Sequence, residues 1–252
     1  MKVSPEMLLI VCPLVFLASL VDAIGGGGGL ISLPAYLMTG LPASLASGTN
    51  KFSAACGTTM AAWKYARSGK LMLKPALCAA AGAIPFAYVG VELLKHTPDA
   101  VMRAVLLCVI PVMAAVVLFK RDSAHETKPM TPARYAMCFA VGALCGLYDG
   151  FCGPGTGTLL IMGLTWIVGL DMVTASGSAK LINLASNVSA LASHLLGGNV
   201  VYLLGLPAVV CSVAGAWCGT KLALTRGAKL IRSVMFGVLA LLVIKLAWEY
   251  FA

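Results

Sequence analysis

Eight stretches of the chain are mainly apolar: Met7–Ile24, Leu45–Trp63, Pro75–Leu94, Val101–Phe119, Tyr135–Cys152, Val173–His194, Val201–Leu222 and Ser233–Ala247. Most reach the roughly 17–25 residues that a helix needs to cross the hydrocarbon layer of a bilayer. Two shorter apolar runs, Leu30–Met38 and Leu159–Leu170, each follow a glycine cluster. They are too short to span as straight helices. The pattern predicts an all-α, polytopic membrane protein with eight to ten crossings, some of them broken at glycine.

Composition strengthens that reading. Sixty per cent of the 252 residues are hydrophobic and 11% are charged, and the mean hydropathy is +0.94. A water-soluble domain carries about a quarter of its residues as charges, so lipid is the expected solvent.

The net charge of +9 is gathered into short connections: Lys64, Arg67, Lys70 and Lys74; Lys120, Arg121, Lys128 and Arg134; Lys221, Arg226, Lys229 and Arg232. Basic loops between apolar spans mark the cytoplasmic side. No basic patch interleaved with aromatics accompanies them, so a nucleic-acid partner is not expected. The nine cysteines lie mostly inside apolar runs, with no C-x-x-C pair and no Cys/His cluster of metal-ligand spacing. They read as small buried hydrophobes, and neither a metal nor another cofactor is expected. Lys2, an apolar core and Val21-Asp22-Ala23 imitate a signal sequence, but Asp22 at the would-be cleavage site favours a retained first helix.

The chain repeats itself. Gly40-Leu41-Pro42-Ala43-Ser44-Leu45-Ala46-Ser47-Gly48-Thr49-Asn50-Lys51 aligns with Gly169-Leu170-Asp171-Met172-Val173-Thr174-Ala175-Ser176-Gly177-Ser178-Ala179-Lys180, at an offset of 180 − 51 = 129. The same offset pairs Gly69 with Gly198 and Gly90 with Gly219, while Asp22 matches Asp149 at 127. Two tandem units are expected, 1–122 and 135–252, joined by a cytoplasmic linker at 123–134. Basic and neutral connections alternate oppositely in the two units, which points to inverted-topology repeats. Inversion requires an odd number of crossings per unit, so the short run after each glycine cluster completes a crossing as part of a broken helix.

Gly25–Gly29 and Gly153-Pro154-Gly155-Thr156-Gly157 cannot continue a helix cheaply. Irregular backbone at membrane depth survives where protein or a watery cavity satisfies it, or where small residues let helices cross closely. Two clusters in equivalent places favour a midplane cavity, with Gly27, Gly28 and Gly155 as contacts. Lys51 and Lys180 each follow a Ser-Gly-Thr/Ser step, and Ser47, Thr49, Ser176 and Ser178 read as N-cap types. A helix N-terminus beside an ammonium attracts a small anion. The lysines could equally pair internally with Asp22 or Asp149, or snorkel to the headgroups. Asp22 and Asp149 suit proton coupling or helix capping. Asn50, Asn183 and Asn187 can bind oxyanion oxygens or bridge helices; the last two share a helix face with Lys180.

Asp22-Ala23-Ile24 with the five glycines and Leu30-Ile31-Ser32-Leu33-Pro34, followed by Gly48-Thr49-Asn50-Lys51, resembles the sulfite exporter TauE/SafE family. The second copy, with Gly-Pro-Gly-Thr-Gly-Thr at 153–158 and Ala179-Lys180-Leu181-Ile182-Asn183, is similar to that family's second half. The resemblance covers essentially the whole chain. It implies a multi-pass permease of the bacterial inner membrane for small, often sulfur-containing anions such as sulfite or organosulfonates, and about eight spans. The second copy departs from the first at Pro154, Thr156 and Ala179, so the half-sites are not expected to be equivalent.

The expectation is therefore a secondary transporter working by alternating access between the two units, with the bilayer and a small anion as partners, and compatible with a homo-oligomer. A carrier of another solute or of a cation, or a membrane assembly factor, is the alternative. A serine hydrolase using Ser176 or Ser178 with His194 is excluded, because even the nearer serine lies 194 − 178 = 16 residues from that histidine on one helix, about 24 Å by rise.

Overall fold

The computed structural model describes residues 4–95, 126–151, 153 and 155–251. Its order is α1 (Pro5–Gly25), α2 (Gly29–Leu37), α3 (Ala43–Arg67), α4 (Leu73–Lys95), α5 (Pro132–Phe151), α6 (Thr156–Met162, continuing as a π-helical stretch Gly163–Val168), α7 (Met172–Leu196) and α8 (Tyr202–Phe251). Helix α8 is kinked at Gly227, whose φ is 64°. No strand occurs among the described residues. The expected span Val101–Phe119 lies outside them.

Three of these helices are by themselves long and apolar enough to cross a membrane: Pro5–Gly25, Leu73–Leu93 and Tyr202–Gly227. Helices α3, α5 and α7 have comparable length but carry the polar side chains that build the interior. The outside is apolar, with Leu9 (76%), Leu203 (70%) and Val210 (70%) exposed. Such side chains require lipid around them. The chain is an all-helical membrane protein.

Small residues set the packing. Gly142, Gly146 and Gly150 of α5 lie against Ala79, Ala83 and Ala87 of α4, with no room for a Cβ at any of the three glycines. The register advances in the same sense on both helices, so α4 and α5 run parallel, and Lys95 and Pro132 sit at opposite ends of the pair. Gly215 and Gly219 of α8 lie likewise against Phe16 and Leu20 of α1, a second parallel pair. Close backbone approach of this kind is how helices associate where lipid removes the hydrophobic drive between them. Helices α3 and α7 run antiparallel: Ser47 meets His194, Lys51 meets Asn187, and Tyr65 meets Ser176.

The short run after the first glycine cluster turns back. Gly26 and Gly27 adopt φ of 78° and 84°, a left-handed conformation that side chains resist. Helix α2 then returns beside α1, from Gly28 against Ala18 and Asp22 to Tyr36 and Leu41 packed with Val11 and Val15. Chain direction is thereby reversed before α3 begins.

The basic connections converge on one end of the bundle. Lys64 donates to the Trp217 carbonyl, four residues before Lys221. The Lys70 carbonyl lies against Gly177, near the start of α7. Arg134 donates to the Val168 carbonyl at 2.7 Å, and the Lys128 N–H to the Gly169 carbonyl at 3.0 Å. Residues 127–134 are thus docked on the turn that precedes α7.

Candidate functional site

The sequence reading put Ser47, Thr49, Ser176 and Ser178 near helix N-termini, and the structure corrects it. Pro42 is the N-cap of α3, while Asp171 caps α7 by accepting from the Val173 and Thr174 N–H groups at 3.1 Å each. Both helices therefore start well before the serines. Lys51 and Lys180 each sit eight residues after the helix start (51 − 43 and 180 − 172). Their ammonium groups lie deep in the bundle and not beside free helix N–H groups.

Each lysine instead meets the aspartate of the other half of the chain. Lys51 Nζ is 3.0 Å from Asp149 Oδ2 and donates to Asn187 Oδ1 at 2.8 Å. Lys180 Nζ is 2.8 Å from Asp22 Oδ2 and also donates to the Asp22 carbonyl. The two pairs differ in access. Lys180 is fully buried, whereas the Lys51 side chain keeps 12% exposure. Asp22 is held further by the Gly28 N–H, which donates to its Oδ1 at 3.2 Å.

A cavity of about 100 Å³ lies between the halves. Of the candidates named from sequence, Asp22, Gly27, Gly28, Asn50, Lys51, Asp149, Gly155, Asn183 and Asn187 line it. Thr49, Ser178 and Lys180 do not. Thr49 donates to the Leu45 carbonyl and accepts from the Val201 N–H; Ser178 accepts from the Met72 N–H. Asn50, only 8% exposed, has a buried Oδ1 with no protein partner. An unpaired buried acceptor costs about 1–3 kcal/mol, and only a hydrogen-bond donor would satisfy it.

Backbone capping ties the helices together where α1 ends, next to Asp22 and Ala23 of the cavity wall. The last four carbonyls of a helix lack intrahelical partners, and in lipid each must find another. At the end of α1, Asp22 O accepts from Gly26 N–H at 2.9 Å and from Lys180; Ala23 O accepts from Tyr65 Oη at 3.1 Å; Ile24 O accepts from Ser176 Oγ at 3.1 Å; and Gly25 O accepts from Thr158 Oγ1 at 2.9 Å. Tyr65 and Ser176 are also 3.1 Å apart. Beside them the glycine clusters touch: a Cβ on Gly157 would stand 2.8 Å from the Gly26 Cα. At the other end of α3 and α7, Ser47 and His194 line the cavity, 3.3 Å apart.

Sequence reasoning missed Tyr65 and Thr158, took Ser176 for a cap, and left His194 as a helix end. The repeat offset held the signal, since 194 − 65 and 176 − 47 both equal 129.

Comparison with known proteins decides the family. A family model described as Sulfite exporter TauE/SafE matches residues 11–246. The chain belongs to the sulfite exporter TauE/SafE family. It is 31% identical over 255 residues to a probable membrane transporter protein of Haemophilus influenzae, covering all of both chains. It is 32% identical over 235 residues to the probable membrane transporter protein ORF9 of a Sinorhizobium species, covering 92% of this chain and 88% of that one. Escherichia coli YfcA, also a probable membrane transporter protein, is 29% identical over 98% of this chain and 92% of its own. No solved structure matches the chain. TauE/SafE is a family of membrane transporters, and this member holds two lysines and two aspartates paired inside the bundle.

Proposed function

We propose that the chain is a secondary carrier of a small anion, a sulfur-containing oxyanion or an organosulfonate, working in a bacterial inner membrane by alternating access. The observation that carries the reading is Lys51: a cation on the wall of a cavity also lined by Asn50, Asn183 and Asn187, whose amide N–H groups are donors an oxyanion can use. An ammonium surrounded by amides suits an oxyanion, and about 100 Å³ suits a small one. The sulfur assignment rests on the family's description. An anion that crosses alone is driven out of a negative-inside cell by about 2.3 kcal/mol per charge per 100 mV, so proton coupling is optional for export and more necessary for uptake.

Two halves of opposite insertion fit the arrangement. The pairs Lys51–Asp149 and Lys180–Asp22 exchange halves, as do Ser47–His194 and Tyr65–Ser176. Helices α3 and α7, equivalent in the repeat, run antiparallel, and the basic connections gather at one end. On this reading the basic end is cytoplasmic, multiple spans cross the membrane, and the Tyr65–Ser176 side is the shut inner gate. Exchange of the two arrangements would open it and bury Lys51.

Solute counterflow in proteoliposomes tests the function. Vesicles preloaded with sulfite, sulfate, methanesulfonate, sulfoacetate or chloride accumulate the labelled form of at least one sulfur anion, and Lys51→Ala abolishes the accumulation. Accumulation of chloride alone would remove the sulfur class. No accumulation of any anion by folded protein would remove the anion carrier.

A further inference from the structure

We infer that the anion binds together with a proton, because it takes Lys51 from Asp149 and leaves Asp149 to be protonated. The inference rests on the anion-carrier reading and concerns what must accompany the anion.

The charges around the cavity already balance. Lys51 and Lys180 carry two positive charges, Asp149 and Asp22 two negative ones, and each lysine holds one carboxylate. Among the described lysines at the cavity an arriving anion finds none without a carboxylate, and adding uncompensated charge to a buried site is costly. Of the two pairs, only one can open without dismantling the fold. Lys180 is fully buried and anchored to both the carboxylate and the carbonyl of Asp22, and the other carboxylate oxygen of Asp22 accepts from Gly28. Lys51 lines the cavity, and Asn187 at 2.8 Å keeps its ammonium at the wall when Asp149 lets go. The anion therefore replaces Asp149 at Lys51.

Asp149 then faces the cavity without its cation. A carboxylate stripped of its partner in a poorly solvated site binds a proton. For a monovalent anion the step balances: one anion and one proton enter from the open side, Asp149 becomes a neutral carboxylic acid, Lys51 stays an ammonium, and the net charge of the site is unchanged. A monovalent anion would then move electroneutrally, and its gradient would be tied to the pH gradient.

The described titratable groups about the cavity, besides Asp149 itself, are Lys51 on α3, paired with it, Asp22 on α1, held by Lys180 of α7, His194 on α7, and Cys145 one turn earlier on α5. His194 and Asp22 also line the cavity, so they are the rival proton carriers and the necessary controls.

The test is proton uptake on binding, measured with purified protein in weakly buffered detergent solution. Each anion of the counterflow panel is titrated in, and the protons that the anion itself releases or binds are subtracted from a blank. About one proton is taken up per anion bound, and apparent affinity rises about tenfold per unit fall in pH, the slope of a one-proton linkage. His194→Gln and the charge-balanced double variant Lys180→Met/Asp22→Asn keep that slope, whereas Asp149→Asn binds the anion with no proton uptake and no pH slope. Binding by the native protein without proton uptake overturns the coupling and leaves the carrier reading standing. A slope that survives in Asp149→Asn, or vanishes in His194→Gln or in the double variant, overturns the assignment to Asp149. Absence of binding by every anion overturns the carrier reading and the coupling together. Should Asp149→Asn fail to fold, the native slope and the two controls still decide.

Discussion

His194 of α7 stands 3.3 Å from Ser47 of α3, and 129 residues separate each of them from a partner in the second such contact, Tyr65 with Ser176 at 3.1 Å. One contact lies at each end of the same antiparallel helix pair. The two differ in what surrounds them. Tyr65 and Ser176 are fully buried and cap the end of α1, while Ser47 and His194 sit at the cavity wall.

That difference predicts unequal costs. Tyr65→Phe takes the donor from the buried Ala23 carbonyl and lowers stability by about 1–3 kcal/mol. Ser47→Ala, at a partly solvated contact, lowers it by less than about 1 kcal/mol. Denaturation in detergent, followed by tryptophan fluorescence, measures both. Equal losses would show that the Tyr65 end is no more sealed than the other.

The ion pairs predict that both lysines matter to stability and one of them to transport as well. Lys180→Met leaves Asp22 without its cation, and Lys51→Met leaves Asp149, whose side chain is only 3% exposed, without its own; each costs about 3–5 kcal/mol, much of which Asp22→Asn or Asp149→Asn, added to the matching variant, returns. Lys51→Met also abolishes counterflow. A fully active Lys51→Met variant would remove Lys51 from the site.

Glycine 157 predicts an intolerance that helix propensity alone does not. Gly157→Ala drives a Cβ into backbone at Gly26, and overpacking costs about 1–3 kcal/mol even where side chains can yield. Gly237→Ala meets nothing within 4 Å and gains about 1 kcal/mol of helix propensity. Size-exclusion profiles and melting temperatures of the two variants should move in opposite directions.

Asp171 predicts a dependence on acid. Burial pushes its carboxyl up, but hydrogen bonds from Thr127 and Thr174 and the charge of Lys70 outweigh it and hold the group below its usual value. A depressed folded-state value contributes stability above the unfolded value, about 3.9, and loses it as pH falls through the lower folded value. Stability should therefore fall on acidification below about pH 4, with a shallower fall in Asp171→Asn. Asp171→Ala also removes the α7 cap, at about 0.5–2 kcal/mol. An unchanged acid slope in Asp171→Asn would show that other carboxylates carry it.

Much of the architecture was legible because lipid demands long apolar runs and leaves charges few places to go. The glycine clusters, the lysines and the aspartates stood out for the same reason. The reversal at Gly26 and Gly27 was not legible, since five glycines permit a break in any direction and only their φ values choose one. Ser47 and Ser176 misled because N-cap chemistry is short-ranged, and Pro42 and Asp171 upstream had already supplied the start. Which lysine meets the cavity was beyond the sequence. Lys51 and Lys180 have nearly the same neighbours in the chain, and their difference arises from how the halves are closed on one another.

At the crossing of Gly26 and Gly157, neither residue has anything left to lose. Every single-residue exchange there adds atoms, so random drift can only thicken the hub and never loosen it. Tolerance to mutation is one-sided at that point. A wider or roomier variant of this carrier has to be sought along the helices that radiate from the hub, where volume can still be traded in both directions.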